Sequence, residues 1–151
     1  MDRLKPLIPG KLAVGPKPSS LTFLKTEGIT AVIDLNQDSE EMRSAEEIGL
    51  KYFVDPQVRI EDDYEPIGVE VLKYVTGTVD RLMSDGHYVY LHCTAALGRS
   101  PTVAAAYLIR SGKTMEEAMN EVRKIRPLAW RGPNRNYPRL LGEFEKTYRV
   151  H

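Results

Sequence analysis

Cys93, Arg99 and Ser100 lie in the segment Val89-Tyr90-Leu91-His92-Cys93-Thr94-Ala95-Ala96-Leu97-Gly98-Arg99-Ser100-Pro101, where a thiol, a guanidinium and a hydroxyl stand close enough to act on one substrate. The segment reads as a buried strand, a tight loop of small residues and the start of a helix. A helix N-terminus presents unpaired N–H groups and the positive end of a dipole, which together favour an anion. No proline lies between Cys93 and Arg99. Every backbone N–H from Thr94 onward is therefore available to a nest for phosphate oxygens. Arg99 is permanently charged and can fork two hydrogen bonds onto the same group. The loop formed by Thr94, Ala95, Ala96, Leu97, Gly98 and Arg99 is thus expected to hold a phosphate dianion. A thiol in that field is expected to titrate below the ordinary value of about 8.5, which makes Cys93 a nucleophile. A buried packing cysteine is the commoner fate of a free thiol, but the spacing, the strand and the proline-free turn favour catalysis.

Pattern locates the strands and helices around this loop. Apolar runs at 12–14, 31–35, 51–54 and 89–92, bounded by Gly, Pro or charge, read as buried strands. Ser19 or Ser20 can cap a helix ending at Gly28, and Ser39 one ending at Gly49. Leu72, Val75, Val79 and Leu82 recur three or four apart, which predicts an amphipathic helix over 67–85 that Gly86 ends. An alanine-rich stretch at 101–109 predicts a buried helix. Thr114 with Glu117 forms a capping box for a helix reaching about Arg126, and a last helix follows Pro138. Strands alternating with helices predict an α/β domain whose central twisted sheet, of about four or five mostly parallel strands, is covered by helices on both faces. Ligands of such sheets bind outside the carboxyl ends of the strands, where the strand at 89–92 delivers Cys93.

Composition narrows the function. A length of 151 residues with 42% hydrophobic content suits one domain, read as 1–151. Lys plus Arg equals Asp plus Glu at 21 each, so any anion site must be local, and neither a nucleic-acid nor a membrane-surface partner is expected. The N-terminal stretch is broken by Pro6, Pro9 and Gly10 and does not read as a signal peptide, and no run is long enough to span a bilayer. A cytoplasmic monomer is expected. With one cysteine and the scattered histidines His87, His92 and His151, no metal is expected.

His92, Cys93, Arg99 and Ser100 together resemble the His-Cys-x(5)-Arg-Ser/Thr signature of the cysteine-dependent protein tyrosine and dual-specificity phosphatases. The stretch Arg126-Pro127, Gly132-Pro133-Asn134, Tyr137 and Leu140-Leu141 is similar to the segment C-terminal to the signature in dual-specificity members. The resemblance implies hydrolysis in two steps through a thiophosphoryl-cysteine intermediate, without a cofactor. It also implies a general acid on an Asp about thirty residues before the cysteine. Asp62 is the first candidate in Glu61-Asp62-Asp63-Tyr64, with Asp63 next and Asp55 third; solvated loop acids are the competing reading. From their positions, His92 is expected to brace the loop from behind and Ser100 to donate a hydrogen bond to the Cys93 sulfur. Asn134 resembles a family asparagine near the loop, although an Asn after Pro is also an ordinary turn residue. Trp130 is either a pocket wall or packing.

One position departs from the family pattern. Ala96 stands where these phosphatases usually carry Gly, and a left-handed residue with a Cβ costs on the order of 1 kcal/mol relative to Gly. The uncharged loop side chains speak against multiply phosphorylated lipids, so a phosphorylated protein or a small phosphomonoester is the expected substrate. The loop and Gly86-His87-Tyr88-Val89-Tyr90 also resemble laforin and other glucan phosphatases. A pseudophosphatase that binds phosphorylated partners without turnover is compatible with Ala96. A rhodanese-like sulfurtransferase is disfavoured by the signature and by the acids at 61–63.

Overall fold

In the computed structural model, the four apolar runs become parallel strands of one sheet, and the helices between them are right where capping and periodicity require. The structure describes residues 4–35, 39–53, 68–93, 98–131 and 136–149. Within them the order is β1 (Pro6–Ile8), β2 (Leu12–Gly15), α1 (Leu21–Thr26), β3 (Ala31–Asp34), α2 (Ser39–Glu47), β4 (Lys51–Phe53), α3 (Val69–Ser84), β5 (Val89–His92), α4 (Arg99–Arg110), α5 (Met115–Ile125) and α6 (Asn136–Arg149).

The five-stranded sheet has the order β1-β2-β5-β3-β4. β2, β5, β3 and β4 run parallel, while β1 pairs antiparallel with β2. This short edge strand was not anticipated: it spans three residues and opens on Pro6, which lacks a ladder donor and is tolerated at a strand's first position on an edge.

Alternation along the strands splits the core in two. Leu12, Val14, Ala31, Ile33, Val89, Leu91 and Cys93 join the buried faces of α3, α4, α5 and α6. Ala13, Val32, Tyr52 and Tyr90 point the other way and pack with Leu24 of α1 and Ala45 of α2. Helices therefore cover both faces, as patterning predicts.

The helix ends follow local chemistry. Ser20, rather than Ser19, caps α1 by accepting from the Phe23 N–H, and Gly28 leaves the helix at φ 96°. Thr114 and Glu117 form the reciprocal capping box of α5. α2 begins at Ser39 itself, and α4 begins at Arg99, two residues before the expected Pro101. Pro138 sits inside the first turn of α6, where its missing N–H costs nothing. The expected strand residue Val54 and helix residue Ile67 lie outside the described residues.

Candidate active site

β5 is the middle strand of the sheet, and each of its four residues is buried. Its parallel register with β2 and β3 aligns Gly15, His92 and Asp34 at one carboxyl edge. Cys93 follows directly, 2% exposed. Central strands flanked on both sides are the most constrained part of a sheet, so Cys93 sits on a rigid platform.

α4 supplies the other half of the site. Gly98 is its N-cap residue, with no side-chain cap and no acidic residue in the first turn. The positive end of the helix is thus left without a neutralising side chain of its own first turn. Arg99, partly exposed, is its first residue, and Ser100, fully buried, its second. Ser100 Oγ lies 3.2 Å from Cys93 Sγ. A thiolate can only accept, so with ionised sulfur the hydroxyl is the donor.

Gly98 is required by packing. A Cβ there would stand 2.6 Å from Cε2 of the buried Tyr137. Its carbonyl accepts from the Thr102 hydroxyl at 2.6 Å, and Thr102 Oγ1 in turn accepts from the Trp130 indole N–H at 3.0 Å. Trp130 holds a left-handed backbone at φ 62°, a conformation that costs a residue with a Cβ about 1–2 kcal/mol, and Arg123 lies over its ring at 5.2 Å. Trp130 is therefore an anchor between the turn after α5 and the start of α4, a role sequence reasoning did not reach. Thr102 was missed altogether, because a threonine within an alanine-rich helix carries no distinctive signal.

Behind Cys93, on the α1/α2 face, lies a buried polar cluster. His92 Nδ1 is 3.2 Å from the Cys93 carbonyl oxygen. His92 Nε2 is 3.0 Å from Glu41 Oε1 and 3.9 Å from Asp34 Oδ1. The Tyr52 hydroxyl donates to Asp34 Oδ2 at 2.6 Å. Burial first, and then this bond to Asp34, push the Tyr52 hydroxyl far above the ordinary tyrosine range, so it stays a donor. His92 thus meets the Cys93 backbone from the α1/α2 face, while Asp34, Glu41 and Tyr52 around it were not foreseen. The three side chains Asp34, Glu41 and His92 each offer one ligand atom, all within 4.8 Å of one another. Among the described residues they are the group that could hold a metal, a set invisible to a search for closely spaced histidines.

A cavity of about 540 Å³ flanks the site along the same sheet edge, lined among others by Lys17, Phe23, Tyr90, Arg126 and Leu128. The Tyr90 hydroxyl donates to the Pro16 carbonyl at 2.6 Å, and Gly15 leaves room for that hydroxyl, with which a Cβ would collide. Burial raises the Tyr90 hydroxyl above its usual range, partly offset by Arg126.

Several candidates lie outside the described residues: Asp62, Asp63 and Asp55, the loop residues Thr94, Ala95, Ala96 and Leu97, and Asn134.

A cysteine past a central parallel strand, a serine hydroxyl on its sulfur and an arginine opening the next helix define the site of a cysteine-dependent phosphatase fold. The family described as "Dual specificity phosphatase, catalytic domain" matches residues 12–147, and the chain belongs to that family. The phosphatidylglycerophosphate phosphatase PTPMT1 of Arabidopsis thaliana is 34% identical over 119 residues, covering 77% of this chain and 35% of that protein. The tyrosine-protein phosphatase CDC14 of Saccharomyces cerevisiae is 28% identical over 123 residues, 81% of this chain and 22% of that one. The chain thus spans well under half the length of both. Among solved structures, Tk-PTP in its active form superposes with a TM-score of 0.77 at 29% identity, covering 91% of this chain and 92% of that one. Its G95A mutant form gives 0.81 at 28%, covering 95% of each. Among the described residues, no helix is long and apolar enough to cross a membrane.

Proposed function

We propose that this chain hydrolyses phosphate monoesters, with Cys93 as nucleophile and phosphorylated tyrosine, serine or threonine in proteins as the first substrate class. The carrying observation is the Cys93–Ser100 contact of 3.2 Å at the positive end of α4. In the first step the Cys93 thiolate attacks phosphorus, the P–O bond to the leaving group breaks, and Asp62 protonates the departing oxygen. In the second, water attacks the thiophosphoryl group with Asp62 as base, and the thiolate leaves while accepting from Ser100. Arg99 and the amides of residues 94–99 hold the three equatorial oxygens, with Asp63 and Asn134 in supporting places.

The cavity beside the site supports a second reading of substrate. It combines the cations Lys17 and Arg126 with the apolar Phe23 and Leu128, which suits an amphiphilic phosphomonoester, and one relative is named for a phospholipid substrate. The catalytic unit is read as one domain that works as a monomer in the cytoplasm. A lone catalytic thiol needs a reducing compartment, which supports that location.

The deciding experiment is a panel of para-nitrophenyl phosphate, phosphopeptides, phosphatidylglycerophosphate in micelles and a phosphoglucan, run in chelator with Cys93→Ser and Arg99→Lys alongside. Turnover by the native chain that both variants lose is the expected result. Substantial residual kcat in Cys93→Ser would rule out the chemistry, and the preferred substrate separates the two readings.

A further inference from the structure

His92 packs on the opposite side of β5 from the helices that surround Cys93, and its two ring nitrogens face different partners. The Cys93 carbonyl can only accept, so Nδ1 must carry a proton to use the 3.2 Å contact. That leaves Nε2, which is fully buried, 3.0 Å from Glu41 Oε1 and 3.9 Å from Asp34 Oδ1. The 3.0 Å contact is short of an aligned hydrogen bond, although its length is that of one. A neutral ring presents a lone pair at Nε2, and a lone pair facing two buried carboxylates would be repulsive. The arrangement is satisfied when one proton lies between Glu41 and Nε2, carried by either group.

Each neighbour supports this placement. Glu41 lies in the first turn of α2, where the helix end stabilises a carboxylate. Asp34 already receives the Tyr52 hydroxyl. The three side chains could instead converge on a metal, in which case Nδ1–H on a backbone carbonyl would also be the normal arrangement. Two ligands about 2.0–2.1 Å from a tetrahedral ion stand roughly 3.3 Å apart, so the 3.0 Å contact fits a shared proton better.

We propose that Glu41 is a positioning residue for the phosphate loop: the proton shared with His92 Nε2 fixes the imidazole so that Nδ1–H pins the Cys93 carbonyl. The Cys93 carbonyl belongs to the residue that carries the sulfur, so a bond to it fixes the backbone from which Sγ projects. Glu41 acts on the reaction through this lever and touches no substrate. The proposal rests on the phosphatase reading for its effect on rate, whereas the proton's location is independent of it.

The test combines nitrogen-15 NMR of the histidine rings with kinetics on para-nitrophenyl phosphate, for the full chain and its Glu41→Ala and Glu41→Gln variants. His87→Gln and His151→Gln assign the His92 signals. The expected native spectrum has His92 protonated at Nδ1. Glu41→Ala should lower kcat by about tenfold, the scale of one hydrogen bond's worth of positioning. Glu41→Gln, whose amide can donate to Nε2, should recover most of that loss with the Nδ1–H signal retained. A native His92 protonated at Nε2 alone overturns the proposal. So does native kcat in Glu41→Ala, or equal impairment of both variants. A His92 signal that shifts with stoichiometric zinc, with activity lost in chelator, would assign the cluster to a metal instead. If Glu41→Ala does not fold, the native spectrum and Glu41→Gln still decide. Absence of phosphatase activity in the native chain would sink the phosphatase reading, and the spectra would then still test where the proton lies.

Discussion

The Cys93 sulfur and the Ser100 hydroxyl, seven residues apart, meet at 3.2 Å with both side chains buried. One sits past the end of β5 and the other in the first turn of α4. On the proposed mechanism the hydroxyl would stabilise the sulfur as it leaves phosphorus. Ser100→Ala should therefore slow the second step more than the first. A hydrogen bond to a charged group is worth about 1.5–3 kcal/mol, or roughly a ten- to hundredfold loss in steady-state kcat. Rapid mixing should show a burst of para-nitrophenol followed by slow turnover. Loss of the burst together with kcat would mean Ser100 serves the first step instead.

Asp62→Asn should lower kcat by about 10²–10⁴-fold with a poor leaving group, and far less with a good one, because only the poor one needs a proton in the transition state. A series of aryl phosphates of graded leaving-group acidity reads this directly. If Asp63→Asn steepens the series and Asp62→Asn does not, the general acid is the neighbouring residue.

Ala96→Gly should raise oxyanion affinity. If the nest needs left-handed geometry at this position, alanine raises the phosphate-ready conformation by about 1–2 kcal/mol, which corresponds to roughly a five- to thirtyfold change in equilibrium. Vanadate affinity and kcat/KM should both rise in the glycine variant. Equal values in the two forms would show that alanine is at ease in this loop.

Gly98→Ala should destabilise the fold and the site together. Its Cβ would stand 2.6 Å from Tyr137 Cε2, and Tyr137 is buried, so an aromatic ring has to move. Overpacking of this kind costs about 1–3 kcal/mol, measurable by urea denaturation. Adding Tyr137→Leu should recover part of the loss. A strictly additive double variant would show that the clash is not the cause.

Alkaline pH should weaken the protein through its buried tyrosines. Burial raises the hydroxyls of Tyr52, Tyr90 and, more modestly, Tyr88. The unfolded chain ionises them near the ordinary tyrosine value of about 10, whereas the folded chain keeps them neutral. Their stabilising contribution is thus complete below about pH 10 and declines above it, because the folded state then binds more protons. Denaturation midpoints should fall across that range, and Tyr90→Phe should flatten the fall. An unchanged slope in that variant would mean Tyr90 ionises freely in the folded chain.

Local pattern was enough to single out Cys93 and Arg99 as candidates and to locate the elements that carry them. The proline-free stretch from Cys93 to Arg99, the capping box of Thr114 with Glu117 and the stripe Leu72, Val75, Val79 and Leu82 depend on neighbours within a turn or two, and the sequence displays those directly. The sheet's parallel core was equally readable, because buried strands alternating with helices admit few arrangements. Strand β1 was not readable, since three residues beginning with proline carry no alternation.

The rear of the site belongs to the folded chain alone. Asp34 faces His92 because β3 and β5 pair in one particular register, and a shift of a single residue would put the two side chains on opposite faces of the sheet. Tyr52 reaches Asp34 across 18 residues of chain, and Trp130 reaches Thr102 across 28. Glu41 meets His92 only because α2 packs on the face that His92 occupies. The candidate nucleophile and the candidate anion loop could be proposed along the chain because both depend on short-range spacing. Which side chains gather behind Cys93 depends on strand register and helix packing, which bring together groups whose separation along the chain carries no signal.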